Sequence, residues 1–378
     1  MLKFELIKIY REKTIYILFS LLLLVVCVPF FLGNTQFDYL KYYENNYSAN
    51  LTTLNNIKND PTAAKVMEDI KESNSYLKDL IESIKKNDSK AIVKNEYKFE
   101  KKNLEDIQAG TLHANPLIEQ KSKVAVLEYL KNSNLDKKSD DPKKLGGIQY
   151  VTLILSSSQL MLIILILICF HIAYIYNLDY RKNNFILYCV SPRSYFKTYF
   201  TKFFSNLLSI CANVLGSFLI ILSIISIKNG IGTFDYPIPI IQNNTNVALM
   251  STGEFLLKII LFFFLFLLLI TILGLLLSVL TDNLILNMSI LIIPLVFGQY
   301  DVLNTIINDK LKPFILLSYI DIPLILSGGN SMKPLNNPLL TYENGIKLVI
   351  ANIILFLLVS IGILLFCSRK LLVKKLAK

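Results

Sequence analysis

Long apolar runs constrain the fold of this 378-residue chain more than any other feature of its sequence. Hydrophobic residues make up 53% of the chain and charged residues only 18%, whereas a soluble domain is usually about a quarter charged. Because lipid offers no partner for backbone polar groups, runs this apolar must cross a membrane as helices. We therefore predict an all-α polytopic membrane protein with six transmembrane helices, at residues 15–32, 151–176, 203–227, 255–280, 284–302 and 348–366.

The basic residues predict an orientation for these spans. Segments 1–14, 177–202 and 367–378 together hold fourteen Lys and Arg, whereas segment 33–150 balances 19 Lys against 18 acidic residues. Cytoplasmic loops collect Lys and Arg. We therefore expect a multi-pass protein of the plasma membrane whose two termini and 177–202 loop lie in the cytoplasm. The basic residues flank apolar spans instead of forming one patch, which argues against a nucleic-acid partner.

Segment 1–14 has the pattern of an amphipathic helix at the inner membrane interface. Lys8 and Arg11 lie on its polar arc together with Glu5 and Glu12. The opposite arc is apolar and consists of Leu2, Leu6, Ile7, Ile9 and Tyr10. The alternative is a simple positive flank for the first span, which no small-x-small cleavage site follows.

The polar insert 33–150 predicts a helical extracellular domain between the first and second spans. Asp88 has the character of a helix cap before a run through Ile92, Tyr97 and Leu104. Another helical stripe is formed by Val66, Ile70, Leu77, Leu80, Ile81 and Ile84. A last helix is expected around Val124, Leu127 and Leu130.

The second half of the chain contains weaker indications of interfacial lysines and of re-entrant helices. Lys258 lies one turn inside the fourth span and can pair with Glu254, four residues earlier, while its ammonium reaches the interface. Lys202 has the corresponding interfacial position before the third span. The apolar stretch 313–326 is interrupted by Asp321 and Pro323, so we expect re-entrant or interfacial helices within 303–345 on the outer side.

The absence of catalytic motifs argues against an enzyme. The chain has no glycine-rich phosphate loop and no Cys-x-x-Cys, and its spans carry almost no converging polar groups. His171 is expected to be a structural histidine near the inner interface, and Asn287 an interhelical hydrogen-bonding residue. We predict no catalytic, cofactor or metal site.

The loop between the second and third spans carries the most distinctive motif. Its sequence is NLDYRKNNFILYCVSPRSYFKTYFTKF, in which Phe185–Val190 is a short apolar run able to form a helix. Ser191-Pro192-Arg193-Ser194 then interrupts it. A short apolar helix in a cytoplasmic loop needs a partner surface; the alternative is a helix lying on lipid.

This layout resembles the ABC-2 class of ABC-transporter permeases, with an interfacial N-terminal helix, six spans, a coupling helix between spans two and three, and re-entrant helices before span six. Asp179, Leu187, Ser191-Pro192-Arg193 and Lys202 stand where that family has similar residues, whereas Asn183-Asn184 replace its glycine-threonine pair. The resemblance covers all the spans. It implies that contact with an ATPase is made by Phe185, Ile186, Leu187, Tyr188, Ser191, Pro192 and Arg193.

The resemblance implies a permease subunit of an ATP-driven exporter. A separate cytosolic ATPase would bind ATP and Mg²⁺, and a second permease copy, identical or related, would complete a pathway for an amphiphilic cargo such as a peptide, an antimicrobial or a lipid. The alternative function is a membrane receptor with 33–150 as an external ligand module and no transport. A membrane-embedded transferase or protease is disfavoured by the missing polar cluster.

Overall fold

The computed structural model describes residues 1–33, 38–58, 64–111, 116–181, 195–242, 245–300, 307–329, 333, 335 and 337–376. Within these ranges the side chains at 180–181, 195, 364 and 366–376 are outside the description. The chain is predominantly helical, and its described residues include five helices long and apolar enough to span a membrane. These are α2 (Lys13–Leu32), α8 (Ser158–Arg181), α9 (Tyr195–Asn229), α10 (Thr252–Leu280) and α13 (Tyr342–Leu376).

A separate short helix, α1 (Leu2–Tyr10), precedes the first long helix and ends at Arg11. It packs against α9 and α2 and buries Glu5 and Ile9. Its apolar side chains Phe4 and Ile7 point away from the protein, with 66% and 43% of their surface exposed. Glu5 of the polar arc and Ile9 of the apolar arc therefore face the helical bundle, whereas Phe4 and Ile7 stay largely uncovered by the described residues.

The long helices differ in how much of their surface the protein covers. Helices α8 and α10 lie at the centre of the bundle, where Phe255, Phe262 and Phe266 are almost fully buried. Helix α2 buries only the stripe Ile15, Leu22 and Val26. Helices α2 and α13 expose most of their apolar side chains, as expected of helices on a lipid-facing rim.

The second apolar segment is divided into α7 (Gly147–Ser156) and α8, whereas the sequence predicts one span over 151–176. Ser157 has an extended backbone between the two helices, and its hydroxyl accepts a hydrogen bond from the N–H of Leu160. A serine side chain that caps the next helix competes with continuation of the previous one, which explains the break.

Helix α11 (Leu284–Gln299) runs antiparallel to α8 and contains Pro294. Two short 3₁₀ turns, Lys312–Phe314 and Leu316–Tyr319, lead from it to the six-residue helix α12 (Ile322–Ser327). Asp321 caps α12 by accepting a hydrogen bond from the N–H of Leu324, at 3.2 Å. The polar residue that interrupts the apolar stretch is thus the residue that starts a new helix.

Residues 33–150 contain four packed helices: α3 (Tyr39–Ile57), α4 (Ala64–Lys85), α5 (Ser89–Gln108) and α6 (Leu117–Ser133). We call these four helices the insert domain. Asp88 caps α5 through the N–H of Ala91, as predicted. The predicted stripe supplies part of the core, which consists of Tyr43, Leu77, Leu80, Ile81 and Phe99.

A two-stranded antiparallel hairpin joins α9 to α10, and the sequence analysis missed it. It consists of β1 (Pro237–Gln242) and β2 (Asn246–Ser251), with Gln242 opposite Asn246. The hairpin packs against α6 of the insert domain, where Lys121 Nζ donates a hydrogen bond to the carbonyl of Thr245 at 3.0 Å. We call this end of the bundle the insert end, and the opposite end the Asp179 end.

Candidate functional site

Three helices are joined by charged side chains at the Asp179 end. Asp179, near the end of α8, keeps only 2% of its surface exposed. Its Oδ1 accepts a hydrogen bond from Lys8 Nζ at 2.9 Å, and its Oδ2 lies 2.5 Å from Lys202 Nζ. We call Lys8, Asp179 and Lys202 the Asp179 clamp, because it ties α1, α8 and α9 together.

The clamp is shielded from water on most sides. The side chains of Lys8 and Lys202 keep 16% and 21% of their surface exposed, and Lys8 also pairs with Glu5 in α1. Burial alone would lower the pKa of Lys8, but the carboxylates of Asp179 and Glu5 outweigh it and raise that pKa above its usual value. Lys8 therefore carries a full positive charge at physiological pH.

The four lysine and arginine residues predicted to be interfacial do not form one group. Lys8 and Lys202 meet at Asp179, whereas Arg11 is the exposed residue that ends α1. Lys258 lies at the insert end, where it pairs with Glu254 at 2.7 Å as its spacing predicts. The sequence analysis placed Lys8 and Lys202 near the same membrane face but did not identify Asp179 as their common partner.

The predicted coupling segment lies between α8 and α9 in the sequence, next to the residues of this clamp. Phe185, Ile186, Leu187, Tyr188, Ser191, Pro192 and Arg193 all lie outside the described residues. The described chain ends at Arg181, two residues after Asp179, and resumes at Tyr195, seven residues before Lys202. Both ends of the segment are therefore helical and joined to each other through one ion pair.

A polar stripe runs along α9 towards the centre of the bundle. Ser205, Ser209, Asn213 and Ser217 recur every fourth residue, so they share one face of the helix. His171 in α8 lies against this stripe, with Nε2 3.3 Å from the Ser209 hydroxyl and Nδ1 3.4 Å from Asn213 Nδ2. The expectation that the spans carry almost no converging polar groups is thus wrong, and the four-residue spacing was the signal that would have revealed the stripe.

More polar side chains are buried between the clamp and the stripe. Asn287 at the start of α11 donates a hydrogen bond to Asn177 Oδ1 at 3.2 Å, which is the interhelical bond expected of Asn287. Asn206 in α9 is fully buried, and its amide makes no hydrogen bond to the described residues. Hydrogen-bonded asparagines hold helices together in a membrane, because their alternative is an unpaired polar group in hydrocarbon.

The insert end of α8 has its own carboxylate. Asp321 Oδ1 accepts a hydrogen bond from the Ser158 hydroxyl at 2.6 Å, and its Oδ2 accepts one from Gln299 Nε2 at 2.9 Å. We call Ser158, Gln299 and Asp321 the Asp321 clamp. It ties the start of α8 to the end of α11 and to the cap of α12, a role that the sequence analysis did not assign to Asp321.

The described side chains of these sites make ion pairs and hydrogen bonds between helices. Among the described residues, no group of three or more His, Cys, Asp and Glu is arranged to hold a metal ion. The two clamps instead fix both ends of α8 to neighbouring helices by directional polar contacts. Both ends of α8 are therefore tied to neighbouring helices among the described residues.

Comparisons with protein-family models, with curated proteins and with solved structures yield no match to this chain.

Proposed function

We propose that this chain is the permease subunit of an ATP-driven exporter in a bacterial cell membrane, of the kind that ABC-2 permeases represent. The observation that carries the proposal is the Asp179 clamp. It joins three helices, two of which flank segment 182–194 in the sequence, so a push on that segment would reach α1, α8 and α9 together. A transporter driven by a separate soluble motor needs such a force-bearing junction.

Six membrane crossings fit the packing of α11. Its first turn lies beside Asn177, and its last residue, Gln299, lies beside Asp321 at the insert end. At about 1.5 Å per residue its sixteen residues span about 24 Å, less than the usual hydrocarbon thickness of about 30 Å. The hydrogen bonds of Asn287 and Gln299 to other helices satisfy polar groups at both of its ends, which makes a short sixth crossing tolerable.

The crossings and the charge rule together orient the protein. With α11 as a crossing, α1, segment 182–194 and the C-terminal residues share the Asp179 end, where the basic segments cluster. We infer that this end is cytoplasmic and that the insert domain and the hairpin are extracellular. A second permease copy would contact the apolar rim formed by α2 or α13.

In the proposed mechanism, the ATPase binds Phe185–Arg193 and supplies ATP and Mg²⁺, which this chain does not bind. Closure of the ATPase pair pushes the segment, and the Asp179 clamp passes the displacement to α8. The Asp321 clamp passes it on to α11 and α12 at the insert end. An amphiphilic cargo would be moved outward as the helices rock.

Deletion of residues 185–194 tests the proposal in membranes that also contain the partner ATPase. We expect insertion and the fold of the insert domain to be kept, whereas stimulation of ATP hydrolysis by the permease and transport are both lost. Asp179→Asn should give a partial loss of the same two activities, and Asp282→Asn, at an exposed aspartate between α10 and α11, serves as its matched control. Transport that survives the deletion would overturn the proposal.

Cysteine labelling of intact cells tests the orientation. In a chain with all five natural cysteines replaced, Arg193→Cys should stay unlabelled by an impermeant maleimide. Thr245→Cys, at the exposed tip of the hairpin, should be labelled. The reverse pattern would place the coupling segment outside the cell and exclude a cytosolic motor.

The second candidate function is a receptor whose ligand module is the insert domain. It is favoured by the contact between α6 and the hairpin, through which a ligand on the insert domain would reach α9 and α10. Copurification with an ATPase whose hydrolysis rate depends on residues 185–194 supports the exporter, and its absence supports the receptor.

A further inference from the structure

A cleft of about 680 Å³ opens at the insert end, between the hairpin, α10, α12 and the start of α13. Binding pockets for small molecules measure roughly 300–1,000 Å³, so the cleft has the size of a ligand site. Its lining has an apolar part, which includes Ile240, Met250 and Leu326, and two charged residues, Lys258 and Glu343. It lies at the opposite end of the bundle from the Asp179 clamp.

The walls of the cleft are held by close contacts. Gly328 ends α12 with a φ of 74°, and a Cβ at this position would lie 1.9 Å from the carbonyl oxygen of Ile241. Only glycine permits this approach of α12 to β1. On another wall, the Tyr342 hydroxyl donates a hydrogen bond to the carbonyl of Lys258 at 3.0 Å and so joins α13 to α10.

The two charges on the lining are not equivalent. Lys258 Nζ lies 2.7 Å from a carboxylate oxygen of Glu254, so its charge is already balanced. Glu343, in the first turn of α13, has no ion pair with any described residue. Among the described lining residues, the charge without an ion pair is therefore that of Glu343; Lys347, one turn further along α13, makes no ion pair with it, and apolar residues lie on the facing wall.

We propose that this cleft binds a cationic amphiphile, with its apolar part on Ile240, Met250 and Leu326 and its cationic group beside Glu343. The proposal does not rest on transport, because binding from the outer face needs neither an ATPase nor the 182–194 segment. It assigns to the insert end a recognition role that is separate from the Asp179 end.

Tryptophan fluorescence provides the test, because the chain contains no tryptophan. Leu340 also lines the cleft and is replaced by tryptophan as the reporter. The full-length Leu340→Trp protein, in nanodiscs of zwitterionic lipid, is titrated with dodecyltrimethylammonium and, separately, with dodecyl sulfate. We expect a saturable change in emission with the cation and a weaker one with the anion of the same chain length. Ile354→Trp, on the exposed face of α13, reports partitioning into the bilayer and should respond without saturation.

Charge variants sharpen the result. In the Leu340→Trp background, Glu343→Gln should weaken binding of the cation about two- to five-fold, the range expected for a partly exposed charge pair. Lys258→Gln should tighten it by a similar factor, since Glu254 then adds its charge to the cleft. If Leu340→Trp fails to fold, Ile240→Trp replaces it as the reporter. Equal or tighter binding of dodecyl sulfate, or identical curves for the reporter in the cleft and Ile354→Trp, would overturn the proposal.

Discussion

The two ends of helix α8 are each fixed by an aspartate, but the partners differ in charge. At one end Asp179 lies between two lysines from α1 and α9. At the other end Asp321 accepts hydrogen bonds from three neutral donors, the Ser158 hydroxyl, the Gln299 amide and the Leu324 N–H. The same residue type thus serves as the centre of an ion-pair network in one place and as the acceptor of hydrogen bonds from uncharged donors in the other.

Because the partners differ in charge, the two ends differ in the free energy that the loss of one partner costs. Removing one partner of a buried ion pair leaves the other charges uncompensated, which costs several times more than the loss of a neutral hydrogen bond. The Asp179 clamp is therefore intolerant of any arrangement that separates its three helices. The Asp321 clamp can change its partners at lower cost, which suits the end at which the proposed exporter would open.

The largest effect is expected from Asp179→Asn. Lys8 and Lys202 would then face an amide instead of a carboxylate, and the free energy of unfolding should fall by about 2–3 kcal/mol. This is below the range of about 3–5 kcal/mol for fully buried pairs, because both lysines keep part of their surface in contact with water. Thermal stability of the purified protein in nanodiscs measures the loss. A change no larger than that of Asp321→Asn would show that the two ends are energetically alike.

A smaller effect is expected from Lys8→Met. Asp179 keeps Lys202 as a partner, so the free energy of unfolding should fall by about 1–2 kcal/mol. The physical reason is that Lys8 loses its charge-assisted contacts to Asp179 and Glu5, while Asp179 stays paired with Lys202. Detachment of α1 can be followed by limited proteolysis near Arg11, with Lys13→Met as the matched control outside the clamp. Full retention of stability would mean that α1 is held by its apolar contacts alone.

Asp321→Asn should cost about 1 kcal/mol, because one of three neutral donors loses its acceptor. The same thermal assay measures it. Gln299→Leu removes one of the same hydrogen bonds from the other side, so the double variant should cost less than the sum of the two single variants. Strict additivity would show that Gln299 and Asp321 are not coupled.

The sequence predicted the parts of this molecule that depend on local pattern. Long apolar runs, the Asp88 cap and the Glu254–Lys258 pair follow from composition and spacing, and the structure contains them. Asp179 and Lys202 were singled out for their positions in the loop motif, but their ion pair joins residues 23 apart across the 182–194 segment. Contacts of this kind depend on how helices pack, and one sequence does not specify that.

The hairpin and the polar stripe of α9 were not predicted from the sequence, and both omissions have a physical explanation. The hairpin was missed because Pro237–Gln242 and Asn246–Ser251 contain two prolines and few alternating residues, a weak strand signal. The polar stripe of α9 was hidden by its composition, since serine spaced among leucine and isoleucine hardly changes average hydropathy. The four-residue period of the stripe was visible in the sequence and is the more useful guide. In the structure, Ser209 and Asn213 of this stripe contact His171 of α8.

The smallest effect at neutral pH is expected at the hairpin, far from both clamps. Tyr236 is 7% exposed and packs with Val93 and Leu130 of the insert domain, and burial raises its pKa to about 12. In the unfolded chain its pKa is about 10. Between these two values the unfolded state loses the proton while the folded state keeps it, so the contribution of Tyr236 to stability falls as the pH rises through this window.

Tyr236→Phe should remove that pH dependence and leave stability near pH 7 almost unchanged. Hydrogen exchange of α6 between pH 7 and pH 11, corrected for the intrinsic rate, measures the effect, and parallel pH profiles for the two proteins would show that the hairpin does not hold the insert domain.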